Sequence, residues 1–155
     1  MSQATEPVLI TTSATAQLTE GMRSDVAIRK FQPLVMDEPE ALGGTDNGPN
    51  PMEYVMGALN GCVAVMIRLI AGEQGFQFKK VEFEANGILD LRGLLGTADV
   101  TRHFQQVDFT VKVHTNEPPA RLEALKQAVH SRCPAINLLV DAGVRLNANW
   151  VAAGK

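Results

Sequence analysis

Apolar and polar residues alternate loosely along the first part of the chain, from Val8 to Val35. The segment TEGMRS divides this stretch into two halves and has the composition of a turn, so the pattern predicts a β-hairpin. The next segment, DEPEALGGTDNGPNP, is dense in Gly, Pro, Asp and Asn. It predicts a loop that is too long to be a simple turn, and long loops are often functional.

A long run of apolar and small residues then predicts a helix from residue 50 to about Ala71. Asn50 suits the N-cap, Pro51 suits the first helical position, and Glu53 completes an N-x-x-E arrangement that resembles a capping box. Nearly every face of this helix is apolar or small. We therefore expect it to be buried.

The second half of the chain alternates between strand and helix patterns. Strands are predicted over 79–91 and 103–115, with a loop over 92–102 between them. A helix is predicted from Pro118, an interruption at Cys133–Pro134, a further helical piece to Gly143, and a last strand over 144–151. The pattern predicts an α+β protein in which a largely antiparallel sheet surrounds a buried helix.

The composition bounds the class of protein. A length of 155 residues, with 45% hydrophobic and 20% charged residues, fits a single domain over residues 1–155. The net charge of −3 gives no reason to expect nucleic acid or an anionic membrane as a partner. Asn60 and Arg68 interrupt the apolar helix, so we expect it to fall short of a membrane span. The N-terminus has no basic segment before an apolar run, and we expect a cytoplasmic protein.

The chain has two cysteines, Cys62 in the apolar helix and Cys133 before Pro134. In a reducing compartment they are free or they cycle between oxidation states. Cys62 is either a small residue in a tight core or a nucleophile whose thiolate needs a nearby cation. Cys133 either marks only a kink between two helices or lies at a helix N-terminus, where N–H groups favour a thiolate.

Other chemistry has little support in the sequence. His130 lies three residues before Cys133, but there is no second such pair, so we expect neither a structural zinc site nor any other metal or cofactor. A hydrolase motif of the form G-x-S-x-G is absent from the sequence, and the segment GGTDNG lacks the lysine of a phosphate-binding loop.

Three segments together resemble the OsmC/Ohr family, the osmotically inducible and organic-hydroperoxide-resistance proteins. They are DEPEALGGTDNGPNPMEYVMGALNGC (37–62), LRGLLG (91–96) and SRCPAINLLV (131–140). The resemblance covers nearly the whole chain and is strongest to the broad OsmC-like branch. It implies an intertwined homodimer in which a long sheet wraps two central helices, with active sites at the subunit interface.

The resemblance also implies a thiol peroxidase that reduces organic hydroperoxides. Cys62 would attack the peroxide as a thiolate and become a sulfenic acid. Cys133 would then condense with it to a disulfide, which a dithiol reductant reopens. Two other functions stay open: an OsmC-fold binding or stress-related protein without efficient peroxidase activity, and a redox sensor.

The family's activating pair is an arginine of the N-terminal hairpin and a glutamate at the start of the central helix. By position the arginine is Arg23, with Arg29 (expected in the same strand) and Arg68 as alternatives. The glutamate is displaced by one position, because the reductases place it ten residues before the cysteine and this chain has Glu53 nine residues before Cys62. Nine residues place the two about 180° apart around a regular helix. A capping role for Glu53 is therefore favoured over a catalytic one.

Overall fold

The computed structural model describes residues 6–154 and has the predicted α+β composition. The strands are β1 (Thr15–Leu18), β2 (Ser24–Ala27), β3 (Leu34–Met36), β4 (Lys80–Ile88), β5 (Gln106–His114) and β6 (Arg145–Ala153). The helices are α1 (Pro51–Gln74), α2 (Leu91–Leu95), α3 (Pro119–Arg132) and α4 (Pro134–Asp141), and Glu40–Leu42 form a 3-10 turn. The chain divides into two compact units, Met1–Tyr54 and Val55–Lys155, and the boundary lies in the first turn of α1.

The N-terminal unit contains an antiparallel sheet with the strand order β1-β2-β3. The predicted hairpin corresponds to β1 and β2, which are joined by the predicted turn, and β3 adds a strand on the other side of β2. The residues before Thr15 do not belong to a strand, among those that the structure describes. Three apolar side chains in that segment are at least 86% exposed: Val8, Leu9 and Ile10.

The long loop after β3 folds around the buried carboxylate of Asp37, which is 1% exposed. This carboxylate accepts hydrogen bonds from the backbone N–H groups of Glu38, Thr45 and Asn47 at 2.8, 3.1 and 3.2 Å, and from the Thr45 hydroxyl at 2.7 Å. The Thr45 hydroxyl, with the three N–H groups, lowers the pKa of Asp37 to about 2, against the opposing effect of burial. The predicted loop is therefore an ordered structure with its own polar centre.

The C-terminal unit contains a second sheet with the strand order β4-β5-β6. β4 pairs with β5 in antiparallel register, as predicted, whereas β6 pairs with β5 in parallel register. The parallel pairing follows from the connection, because α3 and α4 return the chain across the sheet before β6 begins. The core side chains of β5 are at most 1% exposed: Val107, Phe109, Val111 and Val113. A further difference from the prediction is α2, which lies in the predicted loop and is capped by the Asp90 carboxylate.

Helix α1 buries one face within this chain: Leu59, Val63, Met66, Ile67, Ile70 and Ala71. Its other face is apolar but open, since Val55, Val65 and Leu69 are 40%, 59% and 53% exposed. Burial on every side, which the sequence predicted, is thus not reached by the single chain. Among residues 6–154, α1 is also the one helix long and apolar enough, by length and composition, to cross a membrane. Length and composition alone are weak evidence for a span, because core helices have the same properties.

Candidate functional site

The two cysteines lie on different elements of the C-terminal unit. Cys62 lies in the middle of α1 and is partly exposed, whereas Cys133 is completely buried. Cys133 directly follows the last residue of α3 and directly precedes α4, so it is the C-cap of one helix and the N-cap of the other. Its backbone is extended, with φ −75° and ψ 116°, because the helical conformation is disfavoured immediately before a proline.

The sulfur atoms of Cys62 and Cys133 are 3.4 Å apart, and the Cys133 thiol donates a hydrogen bond to Cys62 Sγ. Both cysteines are free. A disulfide brings sulfur atoms to about 2.05 Å, so the two thiols lie close to bonding distance in the reduced chain. The fold therefore brings together two residues that are 71 positions apart in the sequence.

The surroundings of Cys133 favour its protonated form. Burial is the largest effect and raises the pKa of the Cys133 thiol, and the contact with Cys62 acts in the same direction. The backbone N–H groups of Ile136 and Ala135 lower the pKa of this thiol and partly oppose the rise. The helix N-terminus predicted from the sequence is thus present, but desolvation outweighs it. Cys133 carries the proton, and the more exposed Cys62 is the sulfur that reagents reach first.

The candidate arginines each have a local partner. Arg23 precedes β2, is 39% exposed, and donates from Nε and Nη2 to Asp25 Oδ1 at 3.2 and 3.0 Å. Arg29 was expected in the same strand as Arg23, and this expectation is wrong. It follows β2 with a φ of 51°, and its guanidinium lies 4.8 Å from the centre of the Phe31 ring.

Arg68 is an exposed residue of α1. Its guanidinium lies 4.6 Å from the centre of the Phe78 ring. Arg68 is therefore an exposed cation and not a buried one. Its contact is a cation–π pair, which is worth little at an exposed position.

Glu53 forms the capping box that the N-x-x-E pattern predicted. The Asn50 N–H donates to Glu53 Oε2 at 2.7 Å, and the Glu53 N–H donates to Asn50 Oδ1 at 2.9 Å. Each group satisfies a backbone donor that the start of a helix leaves unpaired. A role of Arg23 or Glu53 toward Cys62 remains a prediction from the family resemblance.

His130 lies beside two aromatic rings. Its ring is 6.2 Å from the Phe109 ring and 6.0 Å from the Trp150 ring, centre to centre, and burial lowers its pKa. The part of the chain that the structure describes has no cluster of three or more His, Cys, Asp or Glu residues suited to a metal ion.

Asn137 was not among the predicted site residues, although its side chain contacts the backbone of Cys133. Its Nδ2 donates to the carbonyl oxygens of Cys133 and His130 at 2.8 and 3.2 Å. A signal for it exists in the sequence, because Pro134 removes a backbone donor and a nearby amide side chain can replace it.

Comparison with known proteins places these features in a family. The family model described as OsmC-like protein matches residues 44–149. Among curated proteins, no sequence matches the chain.

Solved structures with the same fold come from several bacteria. An OsmC-like protein from Mycoplasma pneumoniae has a TM-score of 0.82 at 18% identity, covering 93% of this chain and 98% of that one. An organic hydroperoxide resistance protein OsmC from Legionella pneumophila has a TM-score of 0.69 at 20% identity, covering 95% and 99%. OhrB of Bacillus subtilis, an organic hydroperoxide resistance protein, has a TM-score of 0.65 at 18% identity, covering 93% and 100%. At these identities the likeness establishes the fold.

Proposed function

The chain belongs to the OsmC-like protein family, and on that premise we propose that it is a thiol-dependent peroxidase that reduces organic hydroperoxides. The observation that carries the proposal is the 3.4 Å separation of the Cys62 and Cys133 sulfur atoms. Their unequal exposure supports unequal roles. Cys62 is partly exposed to a substrate, whereas Cys133 is 0% exposed and its sulfur contacts that of Cys62.

The cycle has three steps. The Cys62 thiolate attacks the outer oxygen of the hydroperoxide, the O–O bond breaks, and the alkoxide takes a proton and leaves as an alcohol, so that Cys62 becomes a sulfenic acid. The sulfur of Cys133 then attacks the sulfenic sulfur; the S–S bond forms as the Cys133 proton and the sulfenic hydroxyl leave as water. A dithiol reductant finally exchanges with the disulfide, becomes a disulfide itself, and restores both thiols. No cofactor is needed.

The choice of organic hydroperoxides rests on the family. Two proteins with the same fold, from Legionella pneumophila and Bacillus subtilis, are named for organic hydroperoxide resistance. The identities of 20% and 18% leave the substrate of this chain as a proposal.

We also propose a cytoplasmic homodimer in which 1–155 forms one domain. The open face of α1 supports the dimer, since Val65 and Leu69 expose apolar area along a helix that is otherwise part of the core. The exposed side chains of Val8, Leu9 and Ile10 offer a second apolar segment. Exposed apolar surface of this kind marks interaction sites.

A second candidate is an OsmC-fold thiol protein without efficient turnover, for instance a stress-related binding protein or a redox sensor. It is favoured by the local partners of both candidate activating residues, since Arg23 pairs with Asp25 and Glu53 completes the helix cap. Rapid oxidation of Cys62 that no dithiol reverses with turnover would indicate a sensor. Slow oxidation would indicate the binding protein.

The test follows consumption of cumene hydroperoxide by the reduced protein, with dithiothreitol as the dithiol. We expect turnover by the wild type and none by Cys62→Ser. Cys133→Ser, oxidised in the absence of dithiothreitol, should consume a single equivalent of peroxide and stop at a sulfenic acid that dimedone traps. Ser131→Ala, an exposed position two residues from Cys133, is the matched control and should behave as the wild type. Equal and slow consumption by all four proteins would refute the peroxidase.

A further inference from the structure

Pro134 leaves one carbonyl of α3 without its usual partner. In an α-helix the carbonyl of residue i accepts the N–H of residue i+4, and the residue four positions after His130 is Pro134, which has no N–H. The side chain of Asn137 supplies the missing donor. Its Nδ2 donates to His130 O at 3.2 Å and to Cys133 O at 2.8 Å. One side chain thereby joins the end of α3 to the start of α4, across the residue that carries the buried thiol.

The same break in the helix releases two backbone donors. The N–H groups of Ala135 and Ile136 act on the Cys133 thiol, whose pKa they lower. The Asn137 backbone N–H donates to Cys133 O at 3.0 Å, so the first full helical bond of α4 also starts from the cysteine. The direction of Cys133 Sγ toward Cys62 therefore depends on the angle between α3 and α4, which Asn137 holds.

We propose that Asn137 is a positioning residue for the step in which Cys133 attacks an oxidised Cys62. The inference rests on the cysteine pair of the proposed function and adds the group that aims its second member. Asn137 touches neither sulfur and acts through the backbone of Cys133. Attack at sulfur requires the entering, central and leaving atoms to be aligned, and a small displacement of a reacting group slows such a step strongly.

Ellman's reagent, an aromatic disulfide, distinguishes the reaction of Cys62 from that of Cys133 in the absence of peroxide. The Cys62 thiolate attacks the reagent, forms a mixed disulfide and releases one thionitrobenzoate. The Cys133 sulfur then attacks the Cys62 sulfur of that mixed disulfide as its proton passes to solvent, forming the Cys62–Cys133 bond and releasing a second thionitrobenzoate with the electron pair of the broken bond. The two releases are resolved in time by absorbance in a stopped-flow instrument.

Asn137→Leu removes both donors at similar side-chain size. We expect it to slow the second release on the order of tenfold, since misplacement of a reacting group costs at least this much. The first release should stay within about twofold of the wild type, because Cys62 lies on α1 and does not contact Asn137 through these bonds. Leu138→Ala is the control on the same helix, at a position that is 74% exposed, and should change neither release.

A folded Asn137→Leu variant with the second release at the wild-type rate would overturn the proposal. Equal slowing of both releases would also overturn it, because that is the signature of a general loss of structure. Where Asn137→Leu does not fold, Asn137→Ala carries the same test, since it lacks the Nδ2 donor and adds no charge. Failure of the peroxidase proposal would leave the assay unaffected, because the oxidant is the aromatic disulfide.

Discussion

The substitution Glu53→Gln distinguishes a helix cap from a catalytic carboxylate. Glutamine keeps the side-chain oxygen that accepts the Asn50 N–H at 2.7 Å in the native chain, but it carries no charge. A capping role therefore predicts little change, whereas a role in orienting a catalytic arginine by charge predicts a large loss of rate. We expect the capping result.

The magnitude follows from the two reciprocal hydrogen bonds. Asn50→Ala removes the acceptor of the Glu53 N–H, and loss of such an N-cap costs about 1 kcal/mol of stability. For a chain of this size that corresponds to a fall in Tm of about 2–4 °C. Glu53→Gln should lower Tm by less than about 1 °C, because capping boxes accept Glu and Gln alike.

The assay combines thermal unfolding by circular dichroism with the rate of Cys62 oxidation by cumene hydroperoxide. Glu40→Gln, the same substitution at an exposed residue of the N-terminal unit, is the matched control. A Glu53→Gln variant with unchanged Tm and a rate lowered about tenfold, equivalent to about 1.4 kcal/mol of transition-state stabilisation, would refute the capping argument. It would establish Glu53 as a group that activates the thiol.

Three further predictions follow. The loop around Asp37 should become protease-sensitive in Asp37→Asn. The pKa of this carboxyl is lowered from 3.8 to about 2, so its stabilising effect is complete above pH 3.8 and is lost as the pH falls through about 2. Proteolysis after acid exposure would measure this loss. Val65→Asp should convert a dimer to monomers in sedimentation velocity, with Val151→Asp on β6 as the control; an unchanged sedimentation coefficient would argue against the α1 interface. In Cys62→Ser the remaining thiol, Cys133, should be alkylated slowly at neutral pH, because burial raises its pKa. Alkylation should become faster only when the pH is well above the ordinary pKa of a cysteine. Rapid alkylation at pH 7 would contradict this prediction.

Several features were determined by local sequence alone. The start of α1 follows from Asn50, Pro51 and Glu53, which are sufficient for a capping box whatever surrounds them. The break at Cys133–Pro134 is equally local, because proline restricts the residue before it and removes its own N–H. The alternation along β5 predicted its buried face, since successive side chains in a strand point to opposite sides.

Other features depend on residues that are distant in the chain. The parallel register of β6 is a property of the whole crossover through α3 and α4, which no short pattern encodes. The order of the long loop depends on Asp37, a charged residue whose burial is favourable only because donors eight and ten positions away reach it.

The approach of Cys62 to Cys133 is the clearest case of this division. The sequence by itself determined that one cysteine lies in an apolar helix and the other lies between two helices, and each position also suits an inert residue. Only the tertiary structure of the C-terminal unit sets the 3.4 Å between their sulfur atoms. The physical reason is that reactivity here is a matter of distance, desolvation and hydrogen bonding, and each of these arises when the chain has folded.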